Sequence, residues 1–409
     1  MKQRAKEIPK DPNCELFLGY FVISCVSIRV GGYMNDLVLD CLAKLLLEYV
    51  PERICPIVEW LLLAEEYRQM GNSKSLHAFE GKVSVVTGAA TGMGRQLALG
   101  LAKQGARGIA LVDVHEEKLK EAASAISTAM GFPSPGVLTI TTHVCDVSDR
   151  TQVFVTAADV ASLHLGQIDA LFNNAGIVCA NSTEKTTIEE WERVLQVNLF
   201  SVLYTTKAFL PYLKKSRQAY VTNTSSMAGI AGFPGQSAYC ASKFAVRGIT
   251  ECFMMECLSL HPNIHVCVVH PGMVKTDIFK NCKEYVHDVS DTVNATTLGF
   301  TLPKKYRMKN ANDLDWMLKA AGSTTAFAAA KQILDGLERK ETRILVGTDC
   351  KLVDLAIRFA PHGVLRNELV FKTMSFLSFT IPRFVGRKSM YTLFCTVMYY
   401  LLVHRRGRR

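Results

Sequence analysis

The chain has 409 residues, a hydrophobic fraction of 49% and a formal net charge of +10 at neutral pH. This length exceeds the usual size of a single-domain core, so segments appended to a central domain are expected. No internal repeat or low-complexity tract is apparent. The thirteen cysteines have neither CxxC pairing nor metal-ligand spacing. Their pattern argues against a metal site and predicts free thiols in a reducing compartment.

The first 78 residues are predicted to form a helical, partly hydrophobic N-terminal extension. Residues 16–28 are an apolar run that is shorter than the roughly 20 residues needed to span a bilayer. No convincing small-residue cleavage site follows this run, which argues against a signal peptide. Helical patterns at 36–50 and 54–70 predict either a cap on the central domain or helices lying on a membrane surface.

A glycine-rich turn joins a predicted strand to a predicted helix. The β-branched run at 82–86 predicts a buried strand. It continues directly into Thr87-Gly88-Ala89-Ala90-Thr91-Gly92-Met93-Gly94. In a dinucleotide-binding unit Gly88 permits a sharp turn, Gly92 lets the backbone approach a pyrophosphate, and Gly94 permits close packing of helix on strand. The alternative interpretation is an ordinary strand-to-helix turn.

An acidic residue ends the next predicted strand, at 108–113. Asp113 lies nineteen residues after Gly94, where an acid can accept hydrogen bonds from the adenosine ribose and repel a 2′-phosphate. This position favours NAD as the cofactor. NADP stays as the alternative, because Arg95 and His115 lie nearby in the sequence. Asp113 is also predicted to cap the helix that the pattern places at 116–130.

Three side chains further along suit proton transfer to or from an alcohol. Lys243 follows Tyr239 by four residues, so the two lie on the same face of a helix. The lysine charge is expected to lower the tyrosine pKa from its ordinary value of about 10. Ser226 could hold the substrate oxygen while Tyr239 exchanges its proton. A YxxxK spacing by itself could equally be a stacked pair on an exposed helix.

These motifs, in this order and spacing, closely resemble the short-chain dehydrogenase/reductase family in its non-extended branch. The resemblance is strong over 79–280 and looser to about 360. It extends to Cys145-Asp146-Val147, similar to an adenine-binding pair, and to Asn173-Asn174-Ala175-Gly176, similar to the NNAG segment. Asn198 lies where the family keeps an asparagine that holds a proton-relay water. Pro271-Gly272 and Thr276 resemble the turn and the hydroxyl that contact the nicotinamide carboxamide.

The resemblance implies hydride transfer between a nicotinamide cofactor and a small-molecule alcohol or carbonyl substrate. The implied catalytic residues are Ser226, Tyr239 as general base, Lys243 and Asn198. The implied cofactor-binding residues are Thr87, Gly88, Thr91, Gly92, Met93, Gly94, Asp113, Asp146, Val147, Asn174, Ala175, Gly176, Tyr239, Lys243, Pro271, Gly272 and Thr276. Family members commonly pair through two long helices, here at about 187–214 and 238–260, which implies a homo-oligomer.

Predicted strands and helices alternate from 82 to 270, and the strands at 170–172, 219–224 and 264–269 each lead into polar residues. This alternation predicts an α/β fold, a Rossmann-like doubly wound parallel sheet with helices on both faces. A last strand at 342–349 and an amphipathic helix at 351–359 are expected to follow. The predicted domains are therefore 1–78, a catalytic domain at 79–360, and a C-terminal tail at 361–409. Both terminal extensions are expected to be mainly helical.

The predicted C-terminal tail is basic and apolar. No acidic residue follows Glu368, and the segment carries Lys372, Arg383, Arg387, Lys388, Arg405, Arg406, Arg408 and Arg409. Apolar runs at 376–384 and 390–403 lie among these charges, which predicts an interfacial helix or short anchor against anionic lipid. Nucleic acid is the disfavoured partner, because the aromatic residues lie in aliphatic runs rather than in positions suited to base stacking.

The predicted location is therefore a membrane surface facing a reducing compartment, on the cytosolic side and with the endoplasmic reticulum as a candidate. A cytoplasmic protein is the alternative. A lid expected at 273–325 contains apolar residues around 314–318. A membrane location and an apolar lid favour a lipid-like substrate such as a steroid, retinoid or fatty alcohol.

Two other classes of function stay open. A catalytically weak, cofactor-binding membrane scaffold would not require the four catalytic side chains. A sugar-nucleotide epimerase of the extended branch shares YxxxK, but it usually has a different glycine spacing, and the NNAG segment favours the non-extended type.

Overall fold

The computed structural model describes residues 78–131, 138–233, 235–282 and 324–359. The chain separates into two units, Met1–Leu76 and His77–Arg409, and the described residues all belong to the second. The predictions for the N-terminal helices, for most of the lid and for the basic tail lie outside the described residues. Within the described ranges, no helix has the length and apolarity required to cross a membrane.

Nine strands are found among the described residues. They are β1 Val83–Thr87, β2 Gly108–Asp113, β3 Thr139–Val144, β4 Ala170–Asn173, β5 Ala219–Thr224, β6 Ile264–Pro271, β7 Val274–Lys275, β8 Thr324–Thr325 and β9 Arg343–Val346. Seven of them form one sheet in the order β3-β2-β1-β4-β5-β6-β9, and every neighbouring pair is parallel. The order in which strands are added reverses between β1 and β4, because β2 and β3 lie on one side of β1 and the later strands lie on the other. Open α/β sheets bind ligands at such a point.

Helices connect these strands. They are α1 Gly92–Lys103, α2 Glu116–Ala129, α3 Arg150–Leu163, α4 Ile188–Leu195, α5 Ser201–Leu213, α6 Ser237–Leu260, α7 Ile278–Asn281, α8 Ala326–Glu338 and α9 Thr348–Phe359. Successive strand residues enter two apolar cores on opposite faces of the sheet. Val86 and Leu111 pack with residues of α1, α2 and α8, whereas Val85 and Ala110 pack with residues of α3, α5 and α6. The predicted α/β, Rossmann-like parallel sheet covered on both faces is confirmed.

The helix expected at about 187–214 is divided in the structure. α4 ends at Leu195, a π-helical turn occupies Gln196–Phe200, and α5 continues from Ser201. A capping box begins α4, because Thr187 and Glu190 each accept a hydrogen bond from the other's backbone N–H. The π-helical turn carries Asn198, in keeping with the frequent occurrence of such turns at functional sites.

The last strand is shorter than the sequence predicts. β9 ends at Val346, and the next residue, Gly347, has a φ of 89°, a left-handed conformation that favours glycine and interrupts the strand. α9 then begins at Thr348 rather than at 351. The difference moves Asp349 from the predicted strand into the first turn of a helix.

Candidate active site

The predicted site residues meet at one edge of the sheet. Thr87, Asp113 and Pro271 end β1, β2 and β6, and Ser226 follows β5 by two residues. Because these strands are parallel, their carboxyl ends lie at the same edge. The structure therefore brings together the glycine turn, the acidic residue and the catalytic candidates.

The glycine turn adopts a conformation that requires its glycines. Gly88 and Gly92 have φ values of 65° and 55°, which are strained for residues with a side chain. A Cβ on Gly94 would overlap the carbonyl oxygen of Gly88. Thr91 is the N-cap of α1, and its side chain makes no capping hydrogen bond, so backbone N–H groups of the first turn, at Gly92 and Met93, are left for a ligand. This cradle fits the pyrophosphate of a dinucleotide.

The turn after β4 is locked to the end of β1. Thr87 Oγ1 accepts hydrogen bonds from Asn174 N (3.0 Å) and Ala175 N (3.1 Å). In return, Asn174 Nδ2 donates to the Thr87 carbonyl at 3.1 Å. A Cβ on Gly88 would lie only 2.9 Å from Ala175 Cα. These residues, predicted to bind cofactor, therefore also hold each other in place.

Asp113 joins the end of β2 to the glycine turn. Its Oδ2 accepts a hydrogen bond from Ala90 N (3.0 Å), and its Oδ1 accepts one from His115 N (3.1 Å). The interpretation of Asp113 as the helix cap is wrong, because α2 begins three residues later, at Glu116, and its N-cap is His115. Each carboxylate oxygen has more than one lone pair, so Oδ2 can still accept a ribose hydroxyl.

The loop after β3, predicted to bind adenine, contains a contact that no sequence pattern indicated. Asp146 Oδ1 accepts hydrogen bonds from Ser148 N (2.9 Å) and Ser148 Oγ (2.6 Å), and Arg193 Nη2 donates to Asp146 Oδ2 at 3.1 Å. Burial acts against ionisation, but these hydrogen bonds and the arginine charge together lower the pKa of Asp146. The side chain of Val147 is buried beside them. Arg193 lies 47 residues from Asp146, so no local pattern indicates the pair.

The side chains of Ser226 and Tyr239 lie near each other, and the serine hydroxyl acts to lower the tyrosine pKa. Ser226 also caps a short 3-10 turn at Met227–Gly229, where its Oγ accepts from Ala228 N at 3.1 Å. Tyr239 lies in the first turn of α6. Burial raises the pKa of Tyr239 to about 12, although the Ser226 hydroxyl acts in the opposite direction. The phenol is therefore neutral in this structure near neutral pH.

Lys243 lies one turn after Tyr239, with its Nζ 5.7 Å from the centre of the tyrosine ring. The ammonium donates to the Thr224 carbonyl at 2.9 Å, and burial lowers the pKa of Lys243 to about 8. The prediction that Lys243 brings the Tyr239 pKa below its ordinary value is wrong for this structure. Desolvation of the phenolate is the largest cause of the raised tyrosine pKa, and the lysine ammonium donates to a carbonyl of β5 instead of to the phenol.

Asn198 connects three segments of the site. Its amide nitrogen donates to the Ile177 carbonyl and to Ser242 Oγ, both at 2.9 Å, and its Oδ1 accepts from Ile177 N at 2.8 Å. A Cβ on Gly176 would lie 3.1 Å from Asn198 Oδ1 and 3.3 Å from Lys243 Nζ. The π-helical turn thus fixes the segment after β4 against the helix that carries Tyr239 and Lys243, the candidate catalytic residues.

A buried polar network lies among the strands and helices that carry these residues. Asn173 Nδ2 donates to Asn223 Oδ1 (2.8 Å), Thr205 Oγ1 donates to Asn173 Oδ1 (2.7 Å), and Asn223 Nδ2 donates to Thr250 Oγ1 (3.0 Å). It links β4, β5, α5 and α6. This network was not predicted from the sequence, although asparagines at the ends of two apolar strands were a usable signal.

The turn after β6 lies beside the glycine turn. A Cβ on Gly92 would be 3.3 Å from Thr276 Cγ2, so the predicted nicotinamide contact is close to the predicted pyrophosphate site. His270 is fully buried, and its Nδ1 lies 2.9 Å from the Ser226 carbonyl. Since a carbonyl only accepts, this nitrogen carries the proton. Burial lowers the pKa of His270 to about 4, so the ring is neutral.

Comparison with known proteins agrees with this geometry. The family described as short chain dehydrogenase matches residues 82–286. The putative oxidoreductase SadH of Mycobacterium tuberculosis is 33% identical over 283 residues, which cover 69% of this chain and 92% of that protein. The chain belongs to the short-chain dehydrogenase/reductase family. Membership of this family and its oxidoreductase relatives support an oxidoreductase. Mouse epidermal retinol dehydrogenase 2 is a further relative, 34% identical over 211 residues, which cover 51% of this chain and 66% of that protein.

Solved structures of the family share the fold. A short-chain dehydrogenase/reductase from Burkholderia phymatum, in complex with NAD, superimposes with a TM-score of 0.57 at 24% identity and covers 71% of this chain and 97% of its own. Levodione reductase gives a TM-score of 0.51 at 26% identity, with 66% and 95% of the two chains covered. The described sheet and its flanking helices are therefore those of the family.

Proposed function

We propose that this chain is an NAD-dependent oxidoreductase that interconverts a primary or secondary alcohol and its aldehyde or ketone. One observation carries the proposal: Ser226, Tyr239 and Lys243 lie at the same sheet edge as the glycine turn. The Ser226 hydroxyl lies near enough to that of Tyr239 to act on its pKa. A substrate oxygen could contact both hydroxyls there while its carbon faces the cofactor.

NAD fits the residues that would hold it. The open first turn of α1 at Gly92 suits the phosphates, Thr276 beside Gly92 suits the nicotinamide end, and Asp113 suits the adenosine ribose. When bound, the nicotinamide ring supplies the hydride acceptor or donor. NADP is the alternative, but the Asp113 carboxylate would repel its additional phosphate. Asp113 lies at the end of β2 with 12% of its side chain exposed.

Proton transfer is assigned to this chain's own hydroxyls. Ser226 Oγ orients the substrate oxygen, and the neutral Tyr239 can donate its proton to a carbonyl during reduction. For alcohol oxidation the Tyr239 pKa must fall from about 12, and the positive charges of Lys243 and of an oxidised cofactor both act in that direction. Asn198 Oδ1 retains a lone pair that could hold a relay water.

A lipid-like alcohol is the proposed substrate class. Support comes from the names of two relatives, epidermal retinol dehydrogenase 2 of mouse and retinol dehydrogenase 10-B of Danio rerio, and from the apolar character of the sequence at 314–318. Steroids, retinoids and fatty alcohols stay open. A catalytically weak, cofactor-binding membrane scaffold is the second candidate.

Cofactor titration followed by a substrate screen tests the proposed function. NAD is expected to bind the purified chain at least about tenfold more tightly than NADP, because Asp113 disfavours the 2′-phosphate. NADH formation is then measured with steroid, retinoid and aliphatic alcohols, and one class should turn over. Binding of NAD without turnover of any alcohol would favour the scaffold, and a preference for NADP would overturn the role of Asp113.

Membrane association through 361–409 is a separate proposal, supported by the eight lysines and arginines after Glu368. Full-length protein is expected to sediment with vesicles containing anionic lipid, and deletion of 365–409 should leave it in the supernatant. Sedimentation of the truncated protein would show that the anchor lies in another segment.

The implied homo-oligomer also stays a proposal. Exposed apolar side chains on α6, at Phe244 and Met255, support it. A solution mass equal to that of the monomer would contradict it.

A further inference from the structure

The turn that follows β6 is held by a carboxylate from a distant part of the chain. Asp349, in the first turn of α9, accepts a hydrogen bond from Met273 N on its Oδ2 at 2.5 Å. Beside it, Gly272 N donates to the Val346 carbonyl at 2.9 Å. The turn is therefore fixed by one contact to the end of β9 and by one to the start of α9, the latter from a residue 76 positions after Met273.

The fit around this carboxylate depends on two glycines. A Cβ on Gly272 would overlap both oxygens of Asp349, and one on Gly347 would lie 2.5 Å from Asp349 Oδ1 and 2.9 Å from Thr324 Oγ1. Gly347 N in turn donates to Gln332 Oε1 at 3.2 Å. The absence of side chains at both positions lets the carboxylate reach the backbone of the turn.

The carboxylate occupies an unfavourable environment. Asp349 is 9% exposed, and its Oδ1 has no hydrogen-bond partner among the described residues. Burial raises the pKa of Asp349, although backbone N–H groups, that of Met273 first among them, oppose the change. A buried oxygen without a partner costs free energy. A fold that retains it needs some compensating contact, and the bond to Met273 supplies one.

We propose that Asp349 is a positioning residue that holds the turn from Pro271 to Met273 in the shape that receives the nicotinamide end of the cofactor. The inference rests on the proposed function and deepens it. The same turn leads to Thr276, whose methyl group lies beside Gly92. A shift of the turn would therefore displace the nicotinamide contact while leaving the adenosine side, at Asp113, in place.

The competing explanation is purely local. Asp349 lies near the N-terminus of α9, where a carboxylate stabilises a helix whatever it touches outside it. The two explanations differ in what they predict for ligands. If Asp349 only stabilises α9, its loss should weaken the binding of every ligand because the fold is less stable. If Asp349 positions the turn, its loss should affect only a ligand that carries nicotinamide.

Full-length Asp349→Ala and Asp349→Asn variants test the inference with NADH and with ADP-ribose, which lacks nicotinamide. Affinities are measured by calorimetry, and the emission of bound NADH reports the environment of its ring. Asp349→Ala is expected to lose at least half of the fluorescence enhancement of bound NADH while its ADP-ribose affinity stays within twofold. Asp349→Asn keeps an oxygen acceptor for Met273 N and should retain the enhancement. The control is Asp335→Ala, which removes an ion pair to Lys331 on α8 and should change nothing.

A second variant covers the case in which Asp349→Ala does not fold. Gly272→Ala forces the turn away from the carboxylate but keeps the charge at α9, and it should reproduce the loss of NADH fluorescence. Normal fluorescence in either variant, a parallel loss of ADP-ribose, or an Asn variant no better than Ala would each overturn the inference. Failure of the wild-type chain to bind any dinucleotide would instead reject the proposed function, and the inference with it.

Discussion

Tyr239→Phe is expected to lower turnover of the alcohol found in the screen by at least about 10³-fold, within the usual range for loss of a general acid–base. NAD affinity should change by less than about threefold, because the phenylalanine ring keeps the shape of the site. In the structure the hydroxyl lies near Ser226, while the Lys243 ammonium donates to the Thr224 carbonyl. Initial rates of NADH formation and calorimetric titration with NAD measure the two effects.

Tyr212→Phe is the matched control for this experiment. Tyr212 is near the end of α5, next to Leu213, whose carbonyl accepts a hydrogen bond from Asn263 just before β6 begins. That end of the sheet is opposite the catalytic edge, so this variant should turn over at the wild-type rate. Retention of more than about a tenth of the activity by Tyr239→Phe would reject the assigned proton donor and acceptor.

Gly94→Ala is expected to weaken NAD binding at least about tenfold and to destabilise the fold by about 3 kcal/mol, the upper range for an overpacked site. The new Cβ would overlap the Gly88 carbonyl oxygen and lie 2.7 Å from Asn174 Nδ2. Since the obstruction is backbone, no side-chain rotation relieves it. α1 must move away from the end of β1, and the N–H cradle moves with it. Calorimetry with NAD and urea unfolding measure these two losses.

The same substitution at Gly248 serves as its control. Gly248 also lies within a helix, α6, but nothing stands within 4 Å of the position its Cβ would take. Gly248→Ala should therefore leave NAD affinity unchanged and raise stability by up to about 1 kcal/mol through helix propensity. Unaltered NAD binding by Gly94→Ala would show that the cradle does not hold the cofactor in the proposed way.

The motifs predicted from sequence are those whose geometry is local. The four-residue spacing of Tyr239 and Lys243 places them on one helix face wherever the helix packs. The glycines at 88 and 92 likewise adopt left-handed backbone angles that few other residues tolerate. Apolar runs between polar strand ends were sufficient to predict the parallel sheet, because its strands are buried on both faces.

The prediction for the tyrosine pKa was wrong because desolvation is not a local property. Spacing indicates that Lys243 lies near Tyr239, but it does not indicate how completely both groups leave water. In the structure burial raises the tyrosine pKa to about 12 and lowers that of the lysine to about 8. The prediction that Asp113 caps a helix was wrong for a related reason. Its carboxylate accepts a hydrogen bond from Ala90 N, in the turn after β1, and the sequence near Asp113 does not indicate that contact.

The sequence by itself therefore determined the family, the fold class and the identity of the candidate catalytic residues, because short-range spacing constrains backbone angles and helix faces. Only the tertiary structure decided which groups hold those residues in place: Asn198 on its π-helical turn, the Asn173–Asn223 bond, the pairing of Arg193 with Asp146, and the Asp349 carboxylate against Met273. These partners lie from 21 to 76 residues apart. Their contacts arise from the packing of the whole sheet, and no pattern within a single helix or strand specifies them.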